Sequence, residues 1–331
     1  MRSVTSGFYR FGGSDAKGYP SRAMSEPVPV CPESPMAVPP VPAPAPAWRV
    51  HLTLILVQIA FGGFHAVAKA VLGGMSPLAL AGVRVGIGTP ILMALAWRRD
   101  RYIPSRADLP ILALLGGLGV FANQLLFITG LKLTTATNAS ILMTSVPVFA
   151  IAAAAMLGVD RITPRRLAGI VLSVAGALVL VNPLRFSGDR AGAIGNLMIV
   201  GNCLCYALFL VLQRPVLARV PWRTVIAASF FFGTLGVLPV SVPALDSAKV
   251  GMGGWLGVAY IIVFPTVLAY AANTWAVRRS SPALVSAYTT LQPLVSSVLA
   301  AAFLGERFGW EEGAGFALIV AGLWQVSKRA R

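Results

Sequence analysis

The residues whose types and spacing could do chemistry lie in the first third of this 331-residue chain. Gln58, Gly62, His65 and Lys69 stand at i, i+4, i+7 and i+11, and at about 100° per residue they fall on one narrow helical stripe. Arg84 follows in the next apolar run. Polar groups are costly in hydrocarbon, so such a stripe turns toward other helices or a watery passage. Apart from Glu311 and Glu312 at the very start of the last one, no Asp or Glu lies inside an apolar run. Arg84 and Lys69 must therefore be met by water, backbone carbonyls or an anionic group on a bound solute, and a carboxylate fits. His65 is the one group at that depth that titrates near neutral pH. The competing reading packs His65 between helices, lets Lys69 snorkel to the interface and uses Arg84 to bond helix ends.

Further polar residues inside apolar runs are Asn123 and Gln124, Asn138 and Thr144, Asn202 and Tyr206, Tyr270 and Asn273, and Tyr288 with Gln292. The last two pairs are three and four residues apart, so each shares a face. Amide and aromatic groups together suit an amphipathic solute with a flat or apolar body; interhelical hydrogen bonding is the alternative for each. Pro147 and Pro293 each free a backbone carbonyl, and are expected to soften two gates. An enzyme would need a nucleophile with a base, or a metal cluster. The only histidines are His51 and His65, and no metal, cofactor or nucleophile motif is present. A channel filter or a large soluble sensing domain is equally invisible. Cys31, Cys203 and Cys205 give no disulfide framework.

The elements that must position these groups are membrane helices. Hydrophobic residues make up 56% of the chain and charged ones 11%, with a mean hydropathy of +0.76; soluble domains carry about 25% charged residues. Spans of about 20 apolar residues fall near 51–71, 77–97, 109–131, 135–157, 164–182, 192–213, 223–245, 251–277, 282–304 and 309–327. The formal charge of +16 is spread in short clusters between these runs, which argues against a nucleic-acid surface and for the positive-inside rule. Basic residues gather before span one, at Arg98–Arg106, Arg161–Arg166, Arg214–Arg223 and Arg278–Arg279, and after span ten; Lys132, Arg185, Arg190, Lys249 and Arg307 are the sparse remainder on the other side. Both termini are thus expected in the cytoplasm. Residues 1–49 have no apolar run and ten prolines between Pro20 and Pro46. They read as a disordered cytoplasmic segment with no signal peptide, and translation from Met24 or Met36 is an alternative start.

The second half repeats the first at a shift of 146: Ser140 with Ser286, Thr144 with Thr290, Pro147 with Pro293, Arg161 with Arg307, Gly169 with Gly315 and Gly176 with Gly322. The charge bias of the repeated loops reverses, with Arg165 and Arg166 answered by Glu311 and Glu312, and Lys132 by Arg278 and Arg279. Five spans is an odd number, so the second copy enters the bilayer upside down. The expected fold is an all-α integral membrane protein of ten transmembrane helices in two inverted five-helix repeats, 50–183 and 190–328, a build shared by many secondary transporters. Each half ends in a helix with glycines seven apart, Gly169 and Gly176 or Gly315 and Gly322, two turns on one face where helices approach closely.

Three stretches resemble the EamA-type transporters of the drug/metabolite transporter superfamily. They are Phe61-Gly62-Gly63-Phe64 followed by Lys69, with Phe where Trp is commoner; Arg84 in helix two; and the paired blocks Pro147 to Gly176 and Pro293 to Gly322, with Asp160-Arg161 and Glu306-Arg307 inside them. The resemblance covers everything after residue 48. It implies a carrier of small metabolites, commonly an exporter, with a cavity lined from both halves, and it does not fix the substrate; the unpaired cations point to amino acids or related amphipathic solutes, moved across the cell inner membrane. No cofactor, metal or nucleic-acid partner is implied, and the partners are a small-molecule substrate and the bilayer. Small multidrug antiporters, which resemble one half, use an embedded Glu that this chain lacks.

Overall fold

The computed structural model describes residues 46–159, 163–181, 190–247, 250–296, 298 and 310–327. The expectations for residues 1–45 and the joint at 182–189, and those resting on Asp160, Arg161, Lys249, Glu306, Arg307 and the last four residues, lie outside it. Among the described residues every regular element is helical. Seven helices are long and apolar enough to cross a membrane: α1 (Ala47–Val71), α2 (Pro77–Arg99), α3 (Leu109–Leu133), α4 (Asn138–Met156), α6 (Arg190–Val216), α7 (Trp222–Leu245) and α8 (Met252–Arg279). Three further helical segments are α5 (Pro164–Val181), α9 beginning at Pro282–Ala287, and α10 (Trp310–Ser327).

These helices outrun the apolar runs at several ends, because backbone hydrogen bonding continues into the interface where hydropathy has already fallen. Side-chain caps fix their starts. Ser76 accepts from the Ala79 amide, Thr135 from Asn138 and Ser281 from Leu284, with Pro77 and Pro282 at first helical positions that need no amide hydrogen. Basic residues in the last turns, Lys69, Arg98, Lys132, Arg214 and Arg278, match the negative helix ends.

The interruptions follow the repeat. α3 opens into a π-helical turn at Gly117–Ala122, and α8 does so at Ile262–Leu268. α4 tightens into a 3-10 turn at Met143–Ser145, and α9 at Tyr288–Leu291. Pro147 and Pro293 follow these tightened turns, having no amide hydrogen to give to an α-helical bond.

Residues a repeat apart, or one position short of it, also touch. Thr89 and Thr234 share a 2.7 Å hydroxyl hydrogen bond between α2 and α7, Gln124 Nε2 donates to Tyr270 Oη at 3.4 Å, and Ser173 Oγ donates to Ile319 O at 3.4 Å. Around Ser173, α5 and α10 run antiparallel along a glycine seam. A Cβ on Gly169 would meet Gly322 O at 2.8 Å, and one on Gly176 would meet Gly315 O at 2.7 Å. Only a residue without a side chain fits there, and in lipid that closeness supplies the packing that holds helices together.

Candidate functional site

Helices α1, α2, α3, α4, α6, α8 and α9 enclose a central cavity. Its walls are aromatic (Phe61, Phe64, Phe127, Tyr206 and Tyr270, with Met143), and its polar groups are His65, Arg84, Asn123, Gln124, Asn202 and Gln292. The free space is about 30 Å³, room for only a water or two.

Arg84 is only 2% exposed. Its Nη1 donates to Gln124 Oε1 at 2.6 Å, its Nε donates to Thr266 Oγ1, and its guanidinium lies 4.4 Å from the centre of the Phe64 ring. These partners are neutral. They satisfy donors and polarise toward the charge, but no carboxylate among the described residues balances it. The π-helical turns position both neighbours: the one in α3 leads into Asn123 and Gln124, and the one in α8 carries Thr266 and leads into Tyr270. Tyr270 Oη donates to Asn123 Oδ1 at 2.8 Å, and Asn202 Nδ2 to Asn123 O at 2.9 Å.

Three buried polar atoms of the lining have no partner: His65 Nε2, Asn202 Oδ1 and Gln292 Oε1. The His65 Nδ1 lies 2.8 Å from Phe61 O, an acceptor, so in the neutral ring Nδ1 carries the hydrogen and Nε2 offers a lone pair. The cavity thus presents one cation and three open acceptors to whatever occupies it.

The other sequence-derived candidates are distributed around this centre. Gln58 and Gln292 meet at 2.8 Å, where Gln292 Nε2 donates to Gln58 Oε1. Beside them α1 approaches α9 at Gly62, whose Cβ would sit 2.6 Å from that of Val295. Gln58 itself lines a separate lateral groove with His51 and Tyr288, which share a 2.6 Å hydrogen bond. Asn273 Nδ2 donates to Tyr206 Oη at 2.6 Å behind the wall. Asn138 sits at the start of α4, donating to Thr134 Oγ1 at 3.3 Å, and Lys69 donates to the carbonyls of Leu131, Lys132 and Thr134 at 2.8, 3.1 and 2.5 Å. Neither side chain lines the cavity. Sequence reasoning missed Phe61, Phe64, Phe127 and Met143 as lining and Thr266 as an Arg84 partner; in so apolar a chain, aromatic side chains facing a cavity look like those facing lipid.

The profile of the EamA-like transporter family matches residues 48–182 and again 193–328. The chain belongs to that family. Among relatives of this EamA-like chain, a WAT1-related protein of Arabidopsis thaliana is 29% identical over 313 residues, covering 84% of this chain and 85% of the relative. A protein described as an uncharacterized transporter from Archaeoglobus fulgidus is 29% identical over 291 residues, covering 85% and 98%. One solved crystal structure aligns with a TM-score of 0.69 at 21% identity, covering 86% of this chain and 98% of that one, a likeness of fold. The EamA-like chain is therefore a multi-pass membrane protein of a transporter family, and the Archaeoglobus relative is itself named a transporter.

Proposed function

We propose that this protein is a secondary carrier that exports amino acids or related amphipathic solutes across the cell inner membrane by alternating access. Ten transmembrane helices in two inverted five-helix units, residues 50–183 and 190–328, with both termini in the cytoplasm, form the framework. The contacts between residues one repeat apart, Gln124 with Tyr270 and Ser173 with Ile319, and between Thr89 and Thr234, one position short of it, support it, because such positions meet near an axis relating two copies. The antiparallel glycine seam of α5 and α10 supports the inversion.

The observation that carries the substrate reading is Arg84, buried beside aromatic rings without a carboxylate. A buried charge in a membrane marks a ligand path, and its missing counter-charge is assigned to the solute. The open acceptors His65 Nε2, Asn202 Oδ1 and Gln292 Oε1 suit an ammonium or amide hydrogen on the same solute. Because the cavity holds no metabolite-sized volume in this conformation, binding requires the helices to separate, with Pro147 and Pro293 as flexible points.

A thermal-shift screen of the purified protein against amino acids, organic acids, nucleosides and cationic dyes tests the substrate class, since a bound solute raises Tm by mass action. Stabilisation by zwitterionic amino acids, abolished in Arg84→Gln, is the expected result; stabilisation by cationic dyes alone refutes it. Accessibility labelling tests the framework by asking whether residues 161–166 and 307–312 lie on opposite sides of the membrane.

A further inference from the structure

Away from the cavity, the C-terminal end of α2 carries an arginine cluster beside an apolar groove. Arg98, Arg99, Arg101 and Arg106 are all exposed. The two carboxylates of this segment are already engaged: Asp100 Oδ1 accepts from Arg223 Nη1 at 2.9 Å, and Asp108 Oδ1 accepts from Arg219 Nε at 2.6 Å. Four cations are left with no acidic partner among the described residues. Arg101 sits at φ 47°, the one described non-glycine residue in the left-handed region, where glycine is favoured at the end of a helix. The chain thus keeps a charge at a position where its backbone would relax with glycine.

Immediately beside these residues, α2 and α7 leave a groove of about 490 Å³, lined by Met93, Trp97, Tyr102, Leu109, Ala228 and Phe231. Trp97 is 64% exposed, and Trp and Tyr are the residues that settle at headgroup level. Charge and apolar volume are adjacent. A free phosphate uses only the first, and a lipid with a neutral headgroup only the second.

We infer that this cluster and groove bind an anionic glycerophospholipid, its phosphate on Arg98, Arg99, Arg101 and Arg106 and one acyl chain along the Trp97–Phe231 groove. Basic pockets between membrane helices hold anionic headgroups in this way. The site is independent of the transported solute.

The test places the protein in phosphatidylcholine nanodiscs containing a minor fraction of phosphatidylglycerol, and counts retained phosphatidylglycerol by native mass spectrometry. The variant Arg98→Gln/Arg99→Gln/Arg101→Gly removes three charges while relieving the left-handed residue, so its melting in pure phosphatidylcholine should match the parent. Each arginine near an anionic surface contributes about fivefold, so phosphatidylglycerol affinity should fall on the order of a hundredfold. Ala94→Trp, which fills the exposed groove without altering charge, should also reduce retention several-fold. Unchanged retention in either variant overturns the inference, as does displacement of the lipid by inorganic phosphate at equal concentration.

Discussion

Lys69 and Arg214 stand one residue short of a repeat apart and bind the same part of their own halves. Lys69 donates to carbonyls at the end of α3, and Arg214 Nη1 donates to Val277 O at 2.5 Å and Arg278 O at 2.9 Å at the end of α8. Both cations close the C-terminal end of a helix that carries cavity residues, where unpaired carbonyls and the helix dipole favour positive charge. Lys132 Nζ returns the contact in the first half, donating to Leu72 O at 2.5 Å at the end of α1. Lys69→Met and Arg214→Met should therefore each lower stability by about 1–2 kcal/mol, read as a fall in Tm in detergent. Ligand affinity in Lys69→Met should be unchanged, and a loss of affinity at constant Tm would return Lys69 to the solute path.

Arg84 should behave differently. Hydrogen bonds to a charged group contribute about 1.5–3 kcal/mol, so Arg84→Gln should weaken binding of a carboxylate ligand by at least about tenfold in a thermal-shift titration. Arg84→Lys should restore little, because an ammonium cannot reach Gln124, Thr266 and a ligand together in the guanidinium geometry.

The glycine seam gives a stability prediction without a functional component. Gly176→Leu places atoms where Gly315 O already lies 2.7 Å from a Cβ. Overpacking of this kind costs about 1–3 kcal/mol, visible as a lower Tm, whereas Gly253→Leu, with open space around its Cβ, should leave Tm nearly unchanged.

Acid should loosen the link between the segment after α2 and the segment before α7. The Arg219 guanidinium, helped by Ser105, holds the Asp108 carboxyl below the usual carboxylate range. A depressed folded value means that the contribution is present above the unfolded carboxylate pKa of about 3.9 and is lost as pH falls through the folded value. Tm measured across that interval should fall less steeply in Asp108→Asn than in the parent, and parallel curves would remove the pair from the acid response.

Pro147 and Pro293 can be tested together. Restoring an amide hydrogen with Pro293→Ala lets the tightened Tyr288–Leu291 turn relax toward α-helix, and transport into vesicles should slow while Tm rises or holds. An unchanged rate would leave Pro293 without a part in gating, and Pro147→Ala puts the same question to α4.

The stripe of Gln58, Gly62 and His65 was legible in the sequence because polar side chains are rare in these helices, and all three are buried. So was the glycine seam, since its spacing of seven needs no partner to be seen. The phenylalanine lining was not, because hydropathy gives Phe64 the same value against Arg84 as it would have against lipid. The π-helical turns were also hidden: they arise from how α3 and α8 pack, and Gly117–Ala122 has no sequence signature that separates it from ordinary helix. Lys69 was seen but not placed, since its three carbonyl partners lie more than sixty residues away in sequence.

In the α5–α10 seam, Gly169 meets Gly322 while Gly176 meets Gly315, so each surface receives the counterpart of what it offers. Such a surface is complementary to a copy of itself. A chain cut to residues 48–182 would carry one whole side of the match, and two such fragments could close on each other as the two halves do here.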